Sequence, residues 1–196
     1  MSSLLVPAER TLRHAQKIEQ LVRWIAAHGH ITVPVATALL GLATESGARG
    51  ALGKAARAGA LTVKHLQGPS GRPTVVATLS PEGIARAQIM GLEPVCPELT
   101  TLSPDNLALE TLFQRAEIAA ERAGQPCERS ASSLMIGSSL RAVPITRLQP
   151  RDEILRYGQS LLITPNRTLA AQLRVLGAPA AIAIDEFDVH LMEALQ

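Results

Sequence analysis

Gly47, Gly50 and Gly53, set among Arg49, Lys54 and Arg57 in the stretch TESGARGALGKAARAGAL, are residue types that can cradle a phosphate. A nucleotide-binding loop of that kind needs a glycine, four residues, then Gly-Lys-Ser/Thr. Its backbone N–H groups wrap the phosphates and its hydroxyl holds magnesium. The residue five before Gly53 is Ala48, and Ala55 follows Lys54, so both the turn and the hydroxyl are missing. The glycines do not make a G-x-G-x-x-G dinucleotide loop either. Serine catalysis lacks its G-x-S-x-G elbow, since MIGSSLR does not match. His14, His28, His30, His65 and His190 form no zinc spacing, and Cys96 and Cys127 stand apart without a C-x-x-C partner.

Two segments of the second half invite other chemistry. LLITPNRTLAAQL is similar to a helicase strand-to-helix motif, and AAIAIDEFD to the strand whose Asp-Glu end holds magnesium in ATPases. Without a phosphate loop they have no nucleotide to act on, and they lie too close together for helicase organisation. An apolar strand running into an acidic helix start needs only the helix dipole as its reason. Asp152, Glu153, Asp185, Glu186 and Asp188 are the acids a metal nuclease would use, but this half has no lysine. The expectation is therefore a protein that is not an enzyme, with no catalytic residue, no metal and no cofactor.

The elements that must hold the glycines and cations follow from periodicity. Residues 10–27 read as an amphipathic helix, with Ile18, Leu21, Val22 and Ile25 at i, i+3, i+4 and i+7 and Gly29 as its stop. Trp24 lies off the main apolar stripe and reads as a half-buried packing residue rather than a base-stacking one. Thr32 can cap a short second helix, with Pro34 in its first turn and Gly41 at its end. Thr44 is the next cap, and ESGARGALGKAARA is the third helix. Ala48, Ala51, Leu52, Ala55 and Ala56 form its apolar side. Glu45, Ser46, Arg49, Gly50, Gly53, Lys54 and Arg57 are left for the other side. ALTVKHLQ and PTVVATLS are β-rich runs around GPSGR, a hairpin signal. SPEGIARAQIMG starts a helix on Ser80, Pro81 and Glu82.

Charge divides along the same line. Residues 1 to 90 carry ten Lys/Arg and four acids, a net +6, and the remainder carries nine Arg and thirteen acids, a net −4. A basic half beside an acidic half points to a polyanion as partner of the first.

The order helix, short helix, helix, hairpin, helix resembles the winged helix-turn-helix family over residues 10–90. WIAAHGHITVPVATALLGL is similar to its first helix, break and positioning helix. TESGARGALGKAARAGAL is similar to its third helix, and LSPEGIARA to its exit from the wing. The resemblance implies double-stranded DNA as partner. The third helix would then lie in the major groove, its glycines thinning one face for close approach of backbone to DNA. The DNA-binding residues it implies are Thr44, Ser46, Arg49, Gly50, Gly53, Lys54 and Arg57 around that helix, and Lys64, His65 and Arg72 in the hairpin. A layout similarity to replication-relaxation proteins of mobile elements, which also pair a winged domain with a small α/β domain, adds plasmid or conjugation-related roles.

The expected organisation is a winged domain at 1–91, a linker at 92–103 rich in proline, and a helix plus small α/β domain at 104–196. Leu109, Leu112, Phe113, Ala116, Ala120 and Ala123 line one side of the helix over 104–123, which would serve either dimerisation or packing within its own domain. Residues 125–149 are ambiguous, with SLMIG and AVPIT as short strands. RDEILRYG, SLLIT, NRTLAAQLRVLG, AAIAI and EFDVHLMEAL then alternate helix and strand. No apolar run reaches the roughly 18 residues of a membrane span. The functional expectation is a cytoplasmic, homodimeric, sequence-specific DNA-binding protein, a transcriptional regulator or mobile-element accessory factor, with a protein partner available to its C-terminal domain. The alternative is a protein-interaction scaffold whose winged domain binds no DNA.

Overall fold

The computed structural model describes residues 7–68, 71–97, 102–187, 189 and 191. The chain is mixed α/β and divides into two units, Met1–Pro104 and Asp105–Gln196, each with its own sheet. Among the described residues, no helix is long and apolar enough to cross a membrane.

The first unit opens with α1 (Pro7–His28), which buries Ile18, Leu21, Val22 and Ile25. Gly29 ends it at φ +79°, its N–H donating to the Ile25 carbonyl at 2.7 Å. β1 (Ile31–Thr32), α2 (Val33–Leu39), α3 (Glu45–Arg57), β2 (Leu61–Gln67), β3 (Pro73–Leu79) and α4 (Pro81–Ile89) follow. The sheet order is β1-β3-β2, wholly antiparallel, so β2 is an edge strand. Ser80 caps α4 as its sequence implies, accepting from the Gly83 N–H at 2.9 Å. Gly83 is required there, because a Cβ would sit 2.0 Å from the Ala60 carbonyl oxygen.

Three readings of this unit need correction. Thr32 occupies the N-cap position of α2, but its side chain makes no capping bond. It is buried and paired in β1 opposite Val76, and the sheet fixes it. Trp24 is not half-buried but 7% exposed, and its ring stacks on His28 at 4.2 Å between centroids. Helices and strands of the unit pack against α1 on more than one side, so its buried arc is wider than the main stripe. The linker also starts later than 92. The Val95 N–H donates to the Ala26 carbonyl at 2.8 Å, and the Pro97 ring fills the space where a Gly29 Cβ would stand. Residues 92–97 are thus tied to the end of α1. Of the remaining residues read as linker, 98–101 lie outside the described residues.

The second unit starts with α5 (Pro104–Arg122), then β4 (Cys127–Arg129), β5 (Leu134–Ile136), β6 (Leu140–Pro144), α6 (Arg151–Leu155), β7 (Leu161–Thr164), α7 (Arg167–Val175) and β8 (Ala181–Ala183). A single 3-10 turn, Ile184–Glu186, comes next. The sheet runs β4-β5-β6-β7-β8, antiparallel through β6 and parallel from β6 to β8. Every residue of β7 is buried, as expected of a strand covered on both faces. Leu161 and Ile163 face Leu112, Phe113, Ala116 and Ala120 of α5, and Leu162 faces Leu169, Ala170 and Leu173 of α7. The apolar side of α5 is therefore spent within its own unit, which resolves the choice between dimerisation and packing for that face. β4 and β1 were missed because two or three residues show no measurable alternation. AVPIT is a strand only to Pro144. The end of EFDVHLMEAL lies outside the described residues.

Candidate nucleic-acid interface

Thr44 starts α3 from an extended conformation, and its Oγ1 accepts the Gly47 N–H at 3.3 Å. Ala48, Leu52 and Ala55 are buried, while Ala51 and Ala56 are half-buried at the margins. The opposite side is turned to solvent. Glu45, Ser46, Arg49, Gly50, Lys54 and Arg57 are exposed and Gly53 is half-buried. The 3.6-residue period puts Ser46, Gly50, Gly53, Lys54 and Arg57 on one continuous strip, with Arg49 at its margin. Lys54 and Arg57 fall in the last turn, where cations also complement the helix dipole.

Among the described residues, nothing in the fold requires glycine at Gly47, Gly50 or Gly53. All three lie in helical backbone without positive φ. A Cβ on Gly50 would meet nothing within 4 Å, and one on Gly53 only the flexible end of Arg57 at 3.8 Å. Gly47 would make ordinary contacts from 3.6 Å. Each such glycine costs about 1 kcal/mol in helix propensity against alanine. In contrast to Gly83, no described chain segment recovers that cost at Gly50 or Gly53.

The structure adds a contact that the sequence reading left out. Arg49 Nη2 holds Glu45 Oε2 at 3.2 Å across one helical turn, both half exposed. A pair of this kind is worth about 0.3–0.5 kcal/mol, so a phosphate or base edge displaces it readily. The i, i+4 spacing was the available signal. Arg23–Glu19 and Arg86–Glu82 repeat it, at 2.8 and 2.6 Å.

In the hairpin, the Gly68 N–H donates to the Arg72 carbonyl at 2.9 Å and closes the tip, where Arg72 is exposed. Gly68 has no room for a Cβ against Thr74 Oγ1 and the Arg72 carbonyl. Lys64 and His65 are both exposed on β2, opposite Val76 and Val75. As neighbours in a strand they point to opposite faces. His65 shares the face of Leu61 and Ala77, and Lys64 that of Thr62 and Val76. The sites expected from sequence thus fall into an α3 strip, the hairpin tip and one strand residue on each sheet face.

Of the five acids of the second unit, Asp188 lies outside the described residues, and two of the others are held in ion pairs. Asp185 is held by Arg115 at 2.6 Å and Glu186 by Arg167 at 2.7 Å. Among the described residues, no three His, Cys, Asp or Glu side chains are grouped to hold a metal ion. Glu117 of α5 is the perturbed carboxyl. Burial pushes it up to about 7, with Arg129 opposing and Glu110 and Glu121 adding to the rise. Burial, then Glu117 and Glu121, push the Cys127 thiol up to about 11, which keeps it protonated and unreactive at neutral pH. Arg129 lies over the Phe113 ring at 4.2 Å and pairs with Glu110.

The Glu117 shift predicts a pH dependence of stability. Unfolded, the carboxyl loses its proton near its ordinary 4.5; folded, it keeps it to about 7. Stability therefore falls as pH rises from 4.5 to 7 and stays lowered above. The full shift corresponds to about 3 kcal/mol, and roughly half that after solvent screening. Glu117→Gln should raise the melting temperature at pH 8 and leave it unchanged at pH 4.5. Thermal melts of both proteins across this range check it; equal shifts at both pH values would refute the assignment.

No family model, no curated protein and no solved structure matches this chain.

Proposed function

We propose that the first unit is a winged helix-turn-helix domain and that the protein binds double-stranded DNA sequence-specifically. α3 lies in the major groove, and the β2–β3 hairpin is the wing that braces the backbone. One observation carries the reading. Gly50 and Gly53 stand on the exposed, cation-bearing strip of α3 with no packing role among the described residues. Their cost in helix stability is explained by a partner that approaches the backbone closely. Arg49, Lys54 and Arg57 beside them match that partner to a polyanion. The element order α1-α2-α3-hairpin-α4 and the net charge of +6 over residues 1 to 90 support the same conclusion.

Within this reading Arg49, in the first two helical turns, meets base edges, and Lys54 and Arg57 meet phosphate. Arg72 reaches backbone or minor groove from the hairpin tip. The test is fluorescence anisotropy of the full-length protein with labelled duplexes over a salt series. Five cations at phosphate (Lys54, Arg57, Lys64, Arg72 and, on random sequence, Arg49) predict a log–log slope of about −4 or steeper. Binding that is absent, or indifferent to salt, would sink the proposal and leave protein interaction as the function of the domain.

A further inference from the structure

We propose that the amino-terminal half of α1 is a second DNA-contacting element, in which Arg10, Arg13 and Lys17 hold duplex phosphates flanking the segment met by α3. This rests on the DNA-binding reading above and extends it to residues outside α3 and the hairpin.

Arg10, Arg13, His14 and Lys17 stand at i, i+3, i+4 and i+7, so they share one face of α1. The same line continues through Leu21, Trp24 and His28, where it turns into the core: Leu21 is fully buried and Trp24 nearly so. One helix face is thus apolar where the unit covers it and basic where the helix runs on past the cover. From Glu9 to Lys17 every residue is exposed or half-buried, and Leu12 is 60% exposed. None of the described residues from Glu9 to Lys17 is buried in the core, and helical turns without core packing are marginal in water. An external partner supplies what the core does not.

One contact ties this side of α1 to the segment that leads into α3. Gln20, one turn after Lys17 and on the same side, donates from Nε2 to the Leu39 carbonyl at 3.0 Å. Leu39 ends α2, and Glu45, the start of α3, follows six positions later. That separation spans at most about 20 Å even if fully extended. The cations from Arg10 to Lys17 are spread over about 10 Å of helix. A duplex presents a phosphate charge about every 1.7 Å of its axis, so one duplex seated on α3 offers partners at this range. α1 carries two acids, Glu9 and Glu19, and Arg23 already holds Glu19.

The experiment compares wild type with Arg10→Gln/Arg13→Gln/Lys17→Gln in the full-length chain. Glutamine keeps helix propensity and removes charge. Affinity for a labelled duplex is read over a salt series, and base preference by selection from random duplexes. The expected result is a slope shallower by about 2.7, affinity lower by about 10-fold or more at moderate salt, and an unchanged preferred sequence. Arg10→Lys/Arg13→Lys keeps the charges and should keep the wild-type slope, which separates charge from any disturbance of the helix. A triple variant with wild-type slope and affinity overturns the inference while leaving the α3 reading intact. Wild type that binds no duplex overturns both. Wild type that prefers vesicles containing phosphatidylserine to duplex, and loses them in the triple variant, assigns the face to a membrane surface and also overturns it.

Discussion

Gly50→Leu/Gly53→Leu should make the protein more stable and, at the same time, unable to hold its preferred duplex. Leucine is a far better helix former than glycine, and neither position offers a clash to an added Cβ. A Cβ at Gly50 meets open space and one at Gly53 only a movable arginine end. The pair should therefore add about 1.5 kcal/mol. In a domain of this size that is a rise of roughly 5 °C or more in melting temperature. In the proposed docking, two leucines on the strip would hold the α3 backbone away from the groove and bar Arg49 from base edges. Specific affinity should drop toward the non-specific level, about 10³-fold. Calorimetry and anisotropy on the same preparation read both effects. Unchanged affinity would mean that nothing approaches this face closely. A lowered melting temperature would mean that the glycines serve packing after all.

Arg49→Ala and Arg72→Ala should fail in different ways. Arg49 sits in the first two turns of α3, where side chains meet base edges in helix-turn-helix docking. Its loss should cost about 1 to 3 kcal/mol on the selected site and relax preference at one or two positions. On random DNA its loss should matter far less. Arg72 sits at the hairpin tip. Its loss should weaken selected and random duplexes by similar factors and lower the salt slope by about one. Selection from random oligonucleotides supplies the site first. If Arg49→Ala weakens all sequences alike while Arg72→Ala changes the preferred one, the hairpin is the reader. If neither matters, the strip is a solvated surface.

Most of the first unit was legible before any coordinates, because its signals are local. Gly29, Gly41 and Gly59 stop helices where a left-handed residue is needed, and Thr44 and Ser80 cap where their hydroxyls can reach an N–H three residues on. The β-rich runs around GPSGR pair as a hairpin for the same reason: turn chemistry and alternation are written within a few residues. The exposed strip of α3 followed from a 3.6-residue period alone. In α1 the same period puts Arg10, Arg13 and Lys17 on one face.

The sequence by itself determined the helices, their stops and caps, the hairpin, the charge division and the alternation of helix and strand after residue 150. Each depends on residues within one or two turns of each other. The tertiary structure alone decided what depends on distant neighbours. Thr32 gave its side chain to a strand, not a cap, because Val76 lies opposite it. Trp24 became core because elements remote in sequence close over it. The α5 face was spent on β5, β6 and β7 rather than on a second molecule. Asp185 met Arg115, seventy residues away, and so became an ion-pair partner. The glycines of α3 are the same case seen from the other side. Their positions are plain in the sequence, but that no described residue comes within 4 Å of a Cβ at Gly50 is a property of the folded surface, because packing is set by what the rest of the chain brings into range.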